Sequence, residues 1–308
     1  MNAERFSLWS RLHQFVAVLL FIFLSVSNVN AANDKAFFWK VSSEKATVYL
    51  LGSIHFADTS FYPLRSEINN AFENSQTLVV ELDVTGVTAE RYNKLLATSG
   101  TYKNGASIED DLSTETLSAL HERLKLLGIE YASVKQLKPG VLVLTLTSVQ
   151  LMQLGLDPAL GIDLHFLNMI ESAAESKEVV ELESIEQQFN LFLDIADGDL
   201  LLKETLHSME ESEEMMADII RYWKAGDEAA MNNLLFEDTL KEYPAFETIY
   251  ESLFYERNHQ MTKKIDLMLS RPKKTGNSYF VVVGSGHLIG EKGIVNALKK
   301  KGYQVERR

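Results

Sequence analysis

Two short apolar runs, far apart in the chain, end in the same four-residue pattern. Val48-Tyr49-Leu50-Leu51 runs into Gly52-Ser53-Ile54-His55, and Phe280-Val281-Val282-Val283 runs into Gly284-Ser285-Gly286-His287. Short apolar runs closed by glycine read as buried strands. Glycine at the strand end lets the backbone turn sharply and approach a ligand closely. Each histidine then lies just past the carboxyl end of its strand, where open α/β sheets place their sites. A third strand, residues 77–83, carries Glu81 and Asp83 after Leu78-Val79-Val80. If the three strands are neighbours, His55, Glu81 and His287 converge at one edge of the sheet.

The rest of the chain supplies the frame. Residues 36–41 and 47–51 are β-rich and joined by Ser42-Ser43-Glu44-Lys45, a hairpin. Pro63 opens a helix with Leu64, Ile68, Ala71 and Phe72 at helical spacing. From about 88 to 272 the pattern is helical. Leu117, Leu120, Leu124 and Leu127 form one stripe closed by Gly128, and Ile162, Phe166, Met169, Ile170 and Ala173 form another. A lone strand, 178–182, interrupts the helices. The acidic stretch 204–223 reads as a solvated helix face. After the strand 279–283 come a helix over 291–301, stopped by Gly302, and a last strand over 303–306. The expected fold is therefore α/β: a central mixed sheet flanked by helices, with the duplicated strand–Gly-x-x-His units in it and a large helical insertion at about 88–272.

The first 31 residues stand apart. Arg5 and Arg11 precede an apolar run over 15–24, and a polar stretch leads to Val29-Asn30-Ala31. This is the layout of a secretory signal peptide, with cleavage expected after Ala31. Its apolar core falls short of the roughly 20 residues that a spanning helix needs, so membrane association is expected only if the segment is retained. The next longest apolar run, 141–156, is broken by Thr145, Thr147, Ser148, Gln150 and Gln153 and reads as a mostly buried helix. The expected mature chain, 32–308, is one α/β domain, periplasmic or secreted.

Composition narrows the chemistry. Lys and Arg number 30 against 43 Asp and Glu, a net charge of −13, which speaks against a phosphate backbone as partner. There is no cysteine, so disulfides, Cys-ligated zinc, iron–sulfur clusters and a thiol nucleophile are excluded. Two imidazoles and a carboxylate form a ligand set for a divalent metal with positions left open for water. The same set also fits metal-free acid/base work, one His as base and the Glu orienting it. Mn, Co, Zn and Fe all accept such donors, and Glu81 reads equally as ligand or as general base.

Arg257 falls on the apolar stripe of the helix 246–269, where an inward guanidinium must find a carboxylate or a ligand oxygen. It reads either as a group for a substrate carboxylate or oxyanion or as a structural ion pair; Asn258 beside it is a second donor to the same place. Asp163, in Gly161-Ile162-Asp163, sits at a helix start and reads as a cap. Glu183 and Ser184 read as a cap too, although Glu183 occupies a strand end as Glu81 does. His121, His165, His207 and His259 lie in helical stretches and read as surface or core residues. Ser53 and Ser285 lack a Gly-x-Ser-x-Gly elbow, and there is no His-Glu-x-x-His helix and no phosphate-binding Gly-rich loop.

Taken together, Tyr-Leu-Leu-Gly-Ser-Ile-His at 49–55, Val-Val-Glu-Leu-Asp at 79–83, Glu-Arg-Asn at 256–258 and Val-Gly-Ser-Gly-His-Leu-Ile-Gly at 283–290 resemble the TraB/GumN family. That family is similar to the Tiki metalloproteases and more remotely to ChaN-like and erythromycin esterase-like proteins. The resemblance covers essentially the whole mature chain. It implies an α/β fold with a duplicated strand–Gly-x-x-His unit and a helical insert, and a metal-dependent hydrolase acting on peptides or proteins. His55, Glu81 and His287 match the family's metal-binding and catalytic positions, and Arg257 with Asn258 match its Arg-Asn motif. The alternative expectation is a periplasmic protein that binds a metal or haem-type ligand without turnover.

Overall fold

The computed structural model describes residues 34–172, 177–195, 197–210, 212–242 and 244–308. The expected signal segment, 1–31, lies outside the described residues. Six strands, β1 (Phe38–Ser42), β2 (Ala46–Ser53), β3 (Thr77–Val80), β4 (Glu178–Glu181), β5 (Asn277–Gly284) and β6 (Gln304–Arg307), form one sheet in the order β4-β3-β5-β2-β1-β6. β4, β3, β5 and β2 run parallel. β1 returns antiparallel to β2, closing the predicted hairpin, and β6 lies antiparallel to β1. The fold is thus the expected mixed α/β arrangement. β5 is central and apolar because it is covered on both faces, with Phe280–Val283 at most 1 % exposed. Phe72, from the helix Ser66–Glu73, meets the Phe280 ring edge-on at 5.6 Å, and Phe166, from the helix Ile162–Glu171, packs on it tilted at 4.8 Å.

Between β3 and β5 the chain is mostly helical, as predicted, with β4 as the one strand among its described residues. This insert has its own apolar cluster, in which Leu120, Leu124 and Leu127 meet Leu142, Leu146, Leu202 and Leu206. Gly128, in the left-handed region at φ 70°, ends the helix Thr114–Leu127 by donating to the Leu124 and Lys125 carbonyls. The run read as a buried helix is the helix Pro139–Gln153. Among the described residues no helix is long and apolar enough to cross a membrane.

Three boundaries differ from expectation. Pro63 does not open the following helix: it stands in a turn, and the helix begins at Ser66, although Leu64 is still buried. Glu291 lies outside the last helix, which runs from Ile294 to Lys300 behind Gly293. The long helix 246–269 is interrupted by a π-helical turn, Glu251–Tyr255, before the helix Glu256–Ser270. A π turn adds one residue to the local repeat. Beyond it the buried face runs through Asn258, Met261, Thr262, Ile265 and Leu269, so Asn258, rather than Arg257, is in phase with the core.

Candidate active site

The carboxyl ends of the four parallel strands lie side by side, and each delivers one polar side chain. Glu183 follows β4, Glu81 follows β3, His287 follows β5 and His55 follows β2. The space they face lies over Gly284. A Cβ built on Gly284 would stand 3.3 Å from Glu81 Oε1, 3.4 Å from His287 Cδ2 and 3.9 Å from His55 Nε2. Glycine keeps that space open, and His55, Glu81 and His287 border it.

Each imidazole has one nitrogen held by an oxygen. His287 Nδ1 lies 2.6 Å from Asn258 Oδ1, while Asn258 Nδ2 donates to the Lys292 carbonyl at 3.1 Å. Because that Asn oxygen only accepts, the network assigns the proton to Nδ1 and leaves a lone pair on Nε2. His287 Nε2 is 3.8 Å from Glu81 Oε1, beyond hydrogen-bond range. His55 Nδ1 lies 3.2 Å from Asp163 Oδ2, which leaves its Nε2 on the Gly284 side. Asp163 reaches it because its helix docks on the strand end: the Ile162 N–H donates to the Ile54 carbonyl at 3.1 Å. A Cβ on Gly161 would fall 2.5 Å from the His55 carbonyl, so only glycine permits this approach. Asp163 therefore orients His55 instead of capping; Gly161 occupies the N-cap position. Its other oxygen, Oδ1, is buried and has no hydrogen-bond partner.

Arg257 is engaged with carboxylates. Its Nε donates to Glu183 Oε1 at 2.8 Å, its Nη2 to Glu183 Oε2 at 2.7 Å and to Glu81 Oε2 at 2.6 Å, and its Nη1 to the Leu253 carbonyl at 2.9 Å. Glu81 Oε1 accepts the Gly284 N–H at 2.6 Å. Gln188 Nε2 donates to Glu183 at 3.0 Å and to Glu81 at 3.4 Å. All three ionic side chains are at least 85 % buried, which makes this a paired network and not a surface contact.

The electrostatics follow from these contacts. Burial opposes the Glu81 carboxylate, but His287, Arg257, His55 and the Gly284 N–H together hold it down to about 2. Burial drives His287 down to about 4, so its ring is neutral at physiological pH. Partial desolvation works against a charged His55, whose side chain is still 55 % exposed, but Asp163, helped by Glu81, outweighs it and raises the ring to about 9.

The other sequence candidates lie elsewhere or serve the backbone. Ser184 caps the helix Ile185–Leu193 in a capping box with Gln187, as expected. Asp83 accepts the N–H groups of Thr85 and Gly86. His165 packs on Tyr62 and Phe166, and His121 on Tyr131. Ser285 donates to the Ser53 carbonyl at 2.9 Å and ties two strand ends together. Glu183 belongs to the network although the sequence reading assigned it to a cap. Val-Val-Glu-Leu-Asp at 79–83 recurs as Val-Val-Glu-Leu-Glu at 179–183, a repeat that matches Glu183 with Asp83, so only the strand pairing sets Glu183 beside Glu81. The two copies pair with a one-residue stagger, Val79 beside Val180. The two Gly-Ser-x-His copies are staggered likewise, with Gly52 beside Val283.

The donors suit a divalent cation in chemistry. Both imidazole rings and a carboxylate oxygen border one space, and each ring's Nδ1 is tied to an oxygen, as metal-ligating histidines usually are. As placed, though, no three His, Asp or Glu side chains among the described residues are gathered closely enough to hold an ion.

Comparison with known proteins gives three results. A sequence model described as the TraB/PrgY/gumN family matches residues 37–307. The chain is similar to a protein named "Uncharacterized protein YbaP" from Escherichia coli (strain K12), 25 % identical over 252 residues, covering 82 % of this chain and 87 % of that protein. It is also similar to the metalloprotease TIKI2 of Xenopus tropicalis, 23 % identical, covering 88 % of this chain and 59 % of that protein, and over a shorter stretch of 61 residues to the metalloprotease TIKI homolog of Amphimedon queenslandica, 41 % identical, 20 % of this chain and 12 % of that protein. No solved structure matches.

Proposed function

The chain belongs to the TraB/PrgY/gumN family, and from that premise we propose that it is an exported, divalent-metal-dependent hydrolase acting on peptides or proteins. The observation that carries this reading is the meeting of His55 Nε2, His287 Cδ2 and Glu81 Oε1 around the space over Gly284. Charge agrees with it. Glu81, Glu183 and Asp163 bring three negative charges to the site and Arg257 one positive, leaving an excess that one dication neutralises once His55 gives up its proton. The relatives named metalloproteases support peptide hydrolysis, and the signal-peptide pattern at 1–31 supports a periplasmic or secreted location.

His55, Glu81 and His287 would hold the cation, which when bound lowers the pKa of water and polarises a carbonyl. Mn, Co, Zn and Fe all accept these donors. Glu81 serves as a ligand in this reading: a carboxylate held at about 2 is far from the near-neutral pKa that suits a general base. Asn258 fixes the His287 tautomer and Asp163 orients His55. Arg257 acts as a positioning residue, holding Glu81 with Glu183 as its second anchor.

The test is metal analysis of purified protein together with peptide-library cleavage, on wild type, His55→Ala and His287→Ala. About one ion per chain and cleavage, both lost in the variants, are expected. Bound metal with no His55-dependent cleavage would favour the alternative, a binding protein for a metal or haem-type ligand. Neither metal nor cleavage would remove both readings.

A further inference from the structure

A cavity of about 340 Å³ opens among the insert helices, and two of its lining residues, Leu253 and Phe254, border the site. Its wall includes Leu151, Leu201, Met216, Leu235, Leu253 and Phe254, and among the described residues that line it only Glu204 is charged. Two of these residues belong to the site's own surroundings. The Phe254 ring lies 5.3 Å from the His287 ring, and the Leu253 carbonyl accepts from Arg257. Gly286, inside the second Gly-Ser-x-His unit, allows this closeness: a Cβ there would stand 3.0 Å from Phe254 and 3.6 Å from Leu235. A second observation points the same way. Two π-helical turns, Asn233–Glu237 and Glu251–Tyr255, supply Leu235, Leu253 and Phe254 to the wall. Such turns cost regular helix bonding and concentrate at functional sites.

We propose that this cavity receives one apolar side chain of a peptide substrate, of the leucine, methionine or phenylalanine class, next to the bond that is cut. The proposal rests on the hydrolase reading above and names its substrate preference. Size and lining argue for this occupant. The volume is at the lower end of the range for small-molecule pockets, which fits one side chain better than a long ligand. A charged or amide side chain entering it would lose its water with little to replace it, whereas an apolar one gains by leaving water. Methionine on the wall lets it adapt to branched and aromatic shapes.

The experiment uses quenched fluorogenic peptides that differ at one position at a time, carrying Ala, Asp, Lys, Leu, Met or Phe, on wild type, Thr205→Phe and Leu151→Ala. Both substituted residues line the cavity and lie outside the proposed metal set. Circular dichroism melting first establishes that each variant is folded. Wild type is expected to favour Leu, Met or Phe over Ala, Asp and Lys in kcat/KM by about tenfold or more at one position next to the cut. Thr205→Phe should abolish that preference, bringing the Leu, Met and Phe peptides down to the level of the Ala peptide, and Leu151→Ala should move it toward Phe. Equal cleavage of all six peptides, or a preference that neither variant alters, would overturn the proposal. If wild type cleaves nothing, the hydrolase reading fails, and the cavity is judged by binding of anilinonaphthalene sulfonate. Displacement by N-acetyl-leucinamide but not by N-acetyl-alaninamide, lost in Thr205→Phe, would support an apolar side-chain pocket. Equal displacement by both amides, or stronger displacement by a free fatty acid, would overturn it.

Discussion

Glu183→Gln tests the paired network at its least expected member. Glu183 accepts two hydrogen bonds from Arg257, at 2.8 and 2.7 Å, and one from Gln188 at 3.0 Å, and its side chain is only 10 % exposed. Glutamine keeps the shape and one acceptor oxygen, but removes the charge and turns the second position into a donor facing Arg257. Breaking a buried pair by removing one partner costs about 3–5 kcal/mol. Here Arg257 keeps Glu81, 2.6 Å away, so the loss should be smaller, about 2–3 kcal/mol, close to one or two charge-assisted hydrogen bonds. For a chain of this size that is a fall in Tm of roughly 3–5 °C. Arg257 would then bear more fully on Glu81, so metal affinity should fall about 10- to 100-fold, as for other supporting partners of metal ligands. Urea denaturation of metal-free protein reads the first effect, and titration with Mn or Zn reads the second. A midpoint unchanged within error, with unaltered metal binding, would show that Glu183 is only a loop residue and that the three-membered network does not exist in solution.

Asp163→Asn should lower the His55 pKa from about 9 toward the ordinary value near 6.5 in metal-free protein, followed by NMR titration of the ring. Because the folded value is raised, the stabilisation from this pair is complete below about pH 6.5 and lost as pH rises through about 9; an unchanged titration would refute the contact. Asn258→Leu should leave His287 Nδ1 without its acceptor, costing about 1–3 kcal/mol in denaturation and weakening metal binding, whereas a variant as stable and as metal-competent as wild type would show that the tautomer is not held there. Gly161→Ala should push the helix Ile162–Glu171 off the His55 strand end, because its Cβ would fall 2.5 Å from the His55 carbonyl; a melting temperature equal to wild type would contradict that fit.

Much of the frame was legible from local pattern. Apolar runs closed by Gly-Ser-x-His announced β2 and β5, and alternating stripes announced the helices of the insert, because burial imposes a period on the sequence wherever a segment has a covered face. The strand ends also announced His55, Glu81 and His287, since a polar residue just past an apolar strand has few places to go. Less was legible where geometry depends on register. The π turn Glu251–Tyr255 breaks the phase of its helix, so extending the stripe in steps of three and four put Arg257, and not Asn258, on the core-facing line.

What the sequence alone determined is the kind of protein: a mixed α/β sheet with two histidine strand ends, no cysteine chemistry and a helical insert. Tertiary structure decided which side chains meet. Glu183 and Glu81 lie about a hundred residues apart and share Arg257 only because β4 adds beside β3; Asp163 reaches His55 only because Gly161 lets a helix dock on β2. Pairing, stagger and close backbone approach involve residues distant along the chain, so no local period records them, and the environment of the candidate site is set by them.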